Sequence, residues 1–208
     1  FLWLPWLQGQ CAPPIISPGG QLAYWEGQHD GYQRLRPPAI HRRAIARLDR
    51  AFWLVLDLLD SPGEHSYRLH WLLADLPHRW DADAGHLVLD TPAGPYGLRL
   101  GTLTAPCSHT LVRADATTPR GWRAPGYASR EPALSLALET RAARAVFWTV
   151  LGPEPHDLAV AEEQIQVSAD GWRAVLHWQT EAHAPLISKM LIDGQRPDSL
   201  GVTICASS

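Results

Sequence analysis

The 208 residues are 46% hydrophobic and carry 18 Lys and Arg against 21 Asp and Glu, a formal net charge of -3. A chain of this length and apolar content can bury a core, which excludes disorder as its main state. The charge balance excludes a global basic field for nucleic acid, so any anion site must be local.

The start, Phe1-Leu2-Trp3-Leu4-Pro5-Trp6, has neither an initiator Met nor a basic leader. It predicts that the chain begins inside a longer protein. No apolar run reaches the roughly 18 residues of a membrane span. Residues 1–20, punctuated by Pro5, Pro13, Pro14, Pro18 and Gly19-Gly20, read as a linker or the end of an upstream domain, and residues 21–208 as one domain. Cys11, Cys107 and Cys205 are odd in number and lack C-x-x-C spacing, so they cannot form a complete disulfide framework and decide neither compartment nor metal.

From residue 22 onward, short runs alternate apolar and polar residues between turn formers. The expected strands are 22–26, 39–48, 51–60, 66–73, 86–90, 96–102, 110–113, 133–139, 145–151, 164–168, 172–179 and 187–192. Asp49-Arg50, Ser61-Pro62-Gly63-Glu64, Thr91-Pro92-Ala93-Gly94, Gly152-Pro153 and Ala169-Asp170-Gly171 punctuate them. About a dozen strands at this spacing predict an all-β fold, a large antiparallel β-sandwich. The stretch 114–130, with Trp122 and Tyr127, is a long loop of the kind that often carries function.

Residues 29–70 hold the richest set of reactive side chains: His29, Asp30, Tyr32, His41, Arg42, Arg43, Asp57, His65 and His70. Side chains alternate faces along a strand, so the parity of residue numbers tests which can meet. A hairpin closed by Asp49-Arg50-Ala51 places His41 and Asp57 on one face. A second hairpin around Pro62-Gly63-Glu64 would set Asp57 opposite His70. His41, Asp57 and His70 would then form a three-ligand site with one open position, which suits Zn²⁺. A plain hydrogen-bonded cross-strand pair is the alternative use of the same residues. Trp25, Tyr32, Trp122 and Tyr127 are candidates to stack on sugar rings, whereas Trp53, Trp71 and Trp148 read as core. Serine-hydrolase, nucleotide-loop and zinc-protease motifs are absent.

The run Ala23-Tyr24-Trp25-Glu26-Gly27-Gln28-His29-Asp30-Gly31-Tyr32, followed by Ile40-His41-Arg42-Arg43, Phe52-Trp53-Leu54-Val55-Leu56-Asp57 and Glu64-His65-Ser66-Tyr67-Arg68-Leu69-His70-Trp71, resembles the C-terminal part of heparinase II/III-like polysaccharide lyases. Leu89-Asp90-Thr91-Pro92, Pro119-Arg120-Gly121-Trp122 and Phe147-Trp148-Thr149-Val150 extend the resemblance to about residue 155. It implies a β-sandwich joined to an N-terminal α/α toroid missing from this sequence, β-elimination of an acidic, uronic-acid-containing polysaccharide, and a periplasmic or secreted bacterial protein. It also implies a His, Asp, His metal site, which maps onto His41, Asp57 and His70, and a sandwich histidine facing the cleft, for which His29 and His41 are the candidates. Relatives that pair cleft and metal histidines place them two residues apart, whereas here Ala39 stands two before His41. A non-catalytic carbohydrate-binding or structural sandwich is the rival expectation.

Overall fold

The computed structural model describes residues 8–20, 22–49, 51–181, 184–194 and 200–204. The apolar stub 1–7, Arg50 of the first turn, His183 and Cys205 lie outside the described residues. The chain forms strands β1 (Gly9–Cys11), β2 (Ile15–Ile16), β3 (Leu22–His29), β4 (Ile40–Leu48), β5 (Phe52–Leu73), β6 (His78–Asp81), β7 (His86–Thr91), β8 (Gly94–Thr102) and β9 (Ser108–Arg113). They are followed by β10 (Trp122–Arg123), β11 (Glu131–Pro132), β12 (Leu134–Pro153), β13 (Asp157–Ala161), β14 (Gln164–Ala169), β15 (Trp172–Trp178), β16 (Ile187–Gly194) and β17 (Leu200–Thr203). Among the described residues no helix is long and apolar enough to cross a membrane. The stretch read as a linker contributes β1 and β2, both of which add to the edge of β3.

The expected β4–β5 hairpin forms in the register that parity demands, with Ile40 opposite Asp60 and Leu48 opposite Phe52. Asp49 takes φ 52 in the turn, a left-handed conformation that Asp tolerates better than most residues. The β14–β15 hairpin turns at Asp170-Gly171, where Gly171 supplies φ 76.

Two expected pairs of strands are each one strand. Residues 51–60 and 66–73 join as β5, and 133–139 and 145–151 join as β12, because each long strand finds the other as an antiparallel partner for nearly its whole length. The predicted hairpin at Pro62-Gly63 is instead a bulge: residues 61–64 of β5 stand against Ala143 alone, between the pairs Ala142 with His65 and Arg144 with Asp60. A proline cannot donate to a ladder, so Pro62 is accommodated where pairing lapses, and a bulge bends the strand that carries it.

That bend makes the sandwich. Above it Tyr67, Leu69, Leu134, Leu136 and Leu138 pack against Leu87, Leu98, Leu100, Ala145 and Phe147 from below it in one core. The other face of the lower half, with Leu54, Leu56, Leu58, Val146 and Val150, packs against Ile165, Val167, Leu176, Ile187 and Met190 of the five-stranded sheet β13–β17. The lower half of the ten-stranded sheet is therefore a central layer with a core on each side.

Candidate functional site

The odd-numbered side chains of β3, β4 and β5 share one face of the central layer. His29 stands opposite His41, and Arg43 stands opposite Asp57. His29 Nε2 lies 2.9 Å from His41 Nδ1, and His41 Nε2 lies 2.7 Å from Asp57 Oδ1. Arg43 grips the same carboxylate from the side, Nε to Oδ1 at 2.6 Å and Nη2 to Oδ2 at 3.0 Å.

Backbone geometry sets the direction of this chain. The Gly31 N–H donates to His29 Nδ1 at 3.1 Å, so the neutral His29 ring carries its proton on Nε2 and donates to His41. His41 must then accept at Nδ1 and donate from Nε2 to Asp57. Partial burial, and then His41, lower the His29 pKa below its ordinary value, which favours the neutral ring this arrangement needs. Burial of Asp57 acts to raise its pKa, but hydrogen bonds from His41 and Arg43 outweigh it and hold the carboxyl below the usual range. A carboxylate 2% exposed thus remains charged because it is fully partnered.

Tyr32 completes the cluster at its open side. Its ring lies edge-on to His29 with centroids 5.2 Å apart and 6.3 Å from the His41 ring, and it is 37% exposed. His29 is half-buried beneath it. The arrangement can accept a proton at His29 Nδ1 when Gly31 releases it, and can pass the positive charge inward towards Asp57.

The other expected site residues are elsewhere. His70 is on β5 beyond the bulge, where its neighbours Leu69 and Trp71 turn into the core that Phe147, the cross-strand partner of Asp57, also enters, so His70 points out on the opposite face from Asp57. The His41, Asp57, His70 metal site is therefore not assembled, because its second hairpin does not exist. Among the described residues no group of three or more His, Cys, Asp or Glu is arranged to hold a metal ion. His70 Nε2 instead lies 2.7 Å from Ser135 Oγ, which also accepts from Arg120 Nε at 3.0 Å. Trp122 is engaged inside its own loop, donating to the Asp115 carbonyl at 2.8 Å with the Arg130 guanidinium 4.3 Å over its ring. Tyr127 is fully exposed in the same loop, which Arg120 fastens to the outer face beside His70 and Ser135. Among the described residues the Tyr32 ring pairs with the rings of His29 and His41 and with neither Trp122 nor Tyr127.

Arg43 stands in the reactive set of the sequence but has no role assigned to it there. The signal was present: the register that brought His41 towards Asp57 places Arg43 directly across from that aspartate.

Residues 3–183 match the family described as Heparinase II/III-like, C-terminal. No curated protein matches the sequence. A solved structure described as a heparinase III gene product is similar at 13% identity and TM-score 0.64, covering 95% of this chain and 28% of that one. Another, described as heparinase III, gives 13% and 0.63 over 94% and 27%. A heparan sulfate lyase from Pedobacter heparinus gives 13% and 0.58 over 77% and 26%. At such identities the likeness is one of fold. The chain spans about a quarter of the length of these proteins.

Proposed function

The chain belongs to the heparinase II/III-like family, and from that premise we propose that it is the C-terminal β-sandwich of a lyase that cleaves uronic-acid-containing polysaccharides by β-elimination. Elimination needs three things: neutralisation of the uronate carboxylate, a base for the C5 proton and an acid for the departing O4. In this reading an α/α-toroid domain of the same protein forms the rest of the cleft, and the sandwich supplies one wall.

The observation that carries the proposal is the directed chain from His29 through His41 to Asp57 at an open edge capped by Tyr32. A histidine held neutral, with an outward nitrogen that can take a proton once the Gly31 N–H releases it and an inward N–H directed through His41 towards a buried carboxylate, is built as a proton acceptor. Tyr32 lies where an aromatic ring can stack on a sugar beside it. His41 and Asp57 orient His29 and share its charge, so they are positioning residues.

The experiment compares the full-length parent with residues 1–208 alone, following the absorbance of the unsaturated uronate product on heparin-like, alginate-like and other uronate polymers. The parent is expected to form that product and the sandwich alone to be inactive. Replacing His29 by Ala in the parent should lower kcat by roughly 10²–10⁴, the usual contribution of a positioned general base. Robust turnover by the sandwich alone, or a parent that forms no unsaturated product on any uronate polymer, would overturn the proposal.

A further inference from the structure

We infer that the guanidinium of Arg43 occupies the place of a metal ion on Asp57, so that the His29, His41, Asp57 relay is charge-balanced without a bound cation. The inference stands apart from the lyase proposal, because metal content and melting decide it without reference to any substrate.

Four observations carry it. Arg43 and Asp57 are directly paired across β4 and β5, so the positive charge is delivered by backbone register and not by a flexible approach. The guanidinium fork engages both carboxylate oxygens, at 2.6 and 3.0 Å, a geometry that an Arg matches and a Lys does not. The Asp57 side chain is only 3% exposed against 36% for Arg43, so the pair is closed on the carboxylate side. The guanidinium also lies 5.9 Å from the Trp71 ring centroid, which holds it in position from the folded-over half of β5.

A divalent cation would need what this arrangement has already used. It would require a lone pair on His41 Nε2, yet that nitrogen donates to Asp57. It would require at least one open carboxylate oxygen at about 2.0–2.2 Å, yet Arg43 engages both. The remaining expected ligand, His70, is on the other face of β5. Binding would therefore force a second positive charge against a guanidinium that has no other partner in the cluster. The site takes a fixed cation in exchange for an exchangeable one.

The consequence is a site that should gain a metal when Arg43 is removed. Arg43→Ala opens the carboxylate and lets the His41 ring turn its tautomer towards an ion. Arg43→His goes further, placing two imidazoles two residues apart on one face of β4 with Asp57 across from them. The test dialyses the purified full chain and its variants against Zn²⁺, removes the excess, and measures zinc by elemental analysis alongside melting with zinc or a strong chelator. The original chain should retain less than about a tenth of an equivalent and melt at the same temperature in both conditions. Arg43→His should retain about one equivalent, melt higher with zinc than with chelator, and lose both properties when Asp57→Asn is added. Arg43→Lys, which keeps the charge, should retain none.

Arg43→Ala leaves a buried carboxylate unpaired and need not fold; Arg43→His keeps a donor there, so the outcome does not depend on the alanine variant. One equivalent of zinc in the original chain that Asp57→Asn removes would overturn the inference. A folded Arg43→His chain that takes up no zinc would overturn it as well.

Discussion

The indole N–H of Trp71 donates to the hydroxyl of Thr149 at 3.2 Å, although the two belong to distant rungs of one ladder. Trp71 pairs with Leu136 and Thr149 pairs with Val55, thirteen residues apart along β12. A straight strand would separate those rungs by about 40 Å at its ordinary rise per residue. The hydrogen bond exists because the β5–β12 ribbon folds back on itself at the bulge beside Pro62, and it joins the two layers that result.

Trp71→Ala should accordingly loosen both the layer contact and the Arg43 seat. Loss of a large aromatic side chain from a packed interface predicts destabilisation of about 3–5 kcal/mol. Trp71→Phe retains most of the ring and removes only the donor to the fully buried Thr149 side chain, so it should cost about 1–3 kcal/mol. Urea unfolding of both variants checks the order; equal losses would show that the hydrogen bond to Thr149 alone matters.

Asp57→Asn should destabilise the chain by about 3–5 kcal/mol, because it strips the charge partner from Arg43 and leaves one acceptor oxygen and an NH2 donor where His41 and Arg43 now donate to two carboxylate oxygens. In the full-length parent the same change should lower kcat more than it raises KM, since His29 would remain in place but lose its orientation. Equilibrium unfolding and steady-state kinetics test the two parts separately.

Stability should fall as the solution is acidified below about pH 6.5, and His156 is the clearest source. Its side chain is buried, with Nδ1 donating to the Pro153 carbonyl at 3.0 Å. Burial is the largest influence and lowers its pKa, against the opposing pull of Glu154 and the Pro153 hydrogen bond. A histidine whose folded pKa lies below its unfolded value of 6.5 binds fewer protons when folded. The folded state therefore loses ground as pH falls through 6.5 towards the folded pKa. Partial burial, then the nearby Arg120 and Arg68, lowers the His70 pKa in the same direction. Melting from pH 8 to 5 should show the decline, and His156→Gln should flatten part of it; an unchanged slope would assign the decline to other groups.

Gly152→Ala should be destabilising despite the small size of the change. A Cβ there would run into Cδ1 and Cε1 of the Phe52 ring. That ring is itself held edge-on by His156 and Trp172, with centroids 5.3 and 4.8 Å away. Overpacking of this kind costs about 1–3 kcal/mol. Thermal melting of Gly152→Ala, with Phe52→Leu as a compensating second change, should show loss and partial recovery.

Arg120→Ala should free the 114–130 loop while leaving the core nearly unchanged. The guanidinium donates to the Ser135 hydroxyl and carbonyl and to the Thr110 hydroxyl, at 3.0, 2.9 and 3.0 Å. Limited proteolysis should then cut within 114–130 far faster, with a melting shift smaller than that of Asp57→Asn. Unchanged proteolysis would mean that the β10–β11 pairing and the Asp115 turn hold the loop without it.

Local alternation was enough to determine that β4 and β5 form a hairpin and that His41, Arg43 and Asp57 share a face, because a short turn leaves register almost no freedom. The same alternation marked the inward faces of β12, β14 and β15 and the turn at Gly171. It could not determine whether the chain at Ser61-Pro62-Gly63-Glu64 reverses or merely bends. Proline and glycine signal an interruption of pairing in either case. The outcome depended on whether a distant segment could pair with both sides of the interruption, and β12, more than seventy residues away in sequence, does so from Leu134 to Leu151. That single tertiary decision moved His70 to the opposite face from Asp57. It also brought Trp71 over Arg43 and left the buried carboxylate to a guanidinium. Side-chain period is a property of the strand itself, whereas the choice of partner is settled by which pairing buries the most apolar surface across the whole molecule.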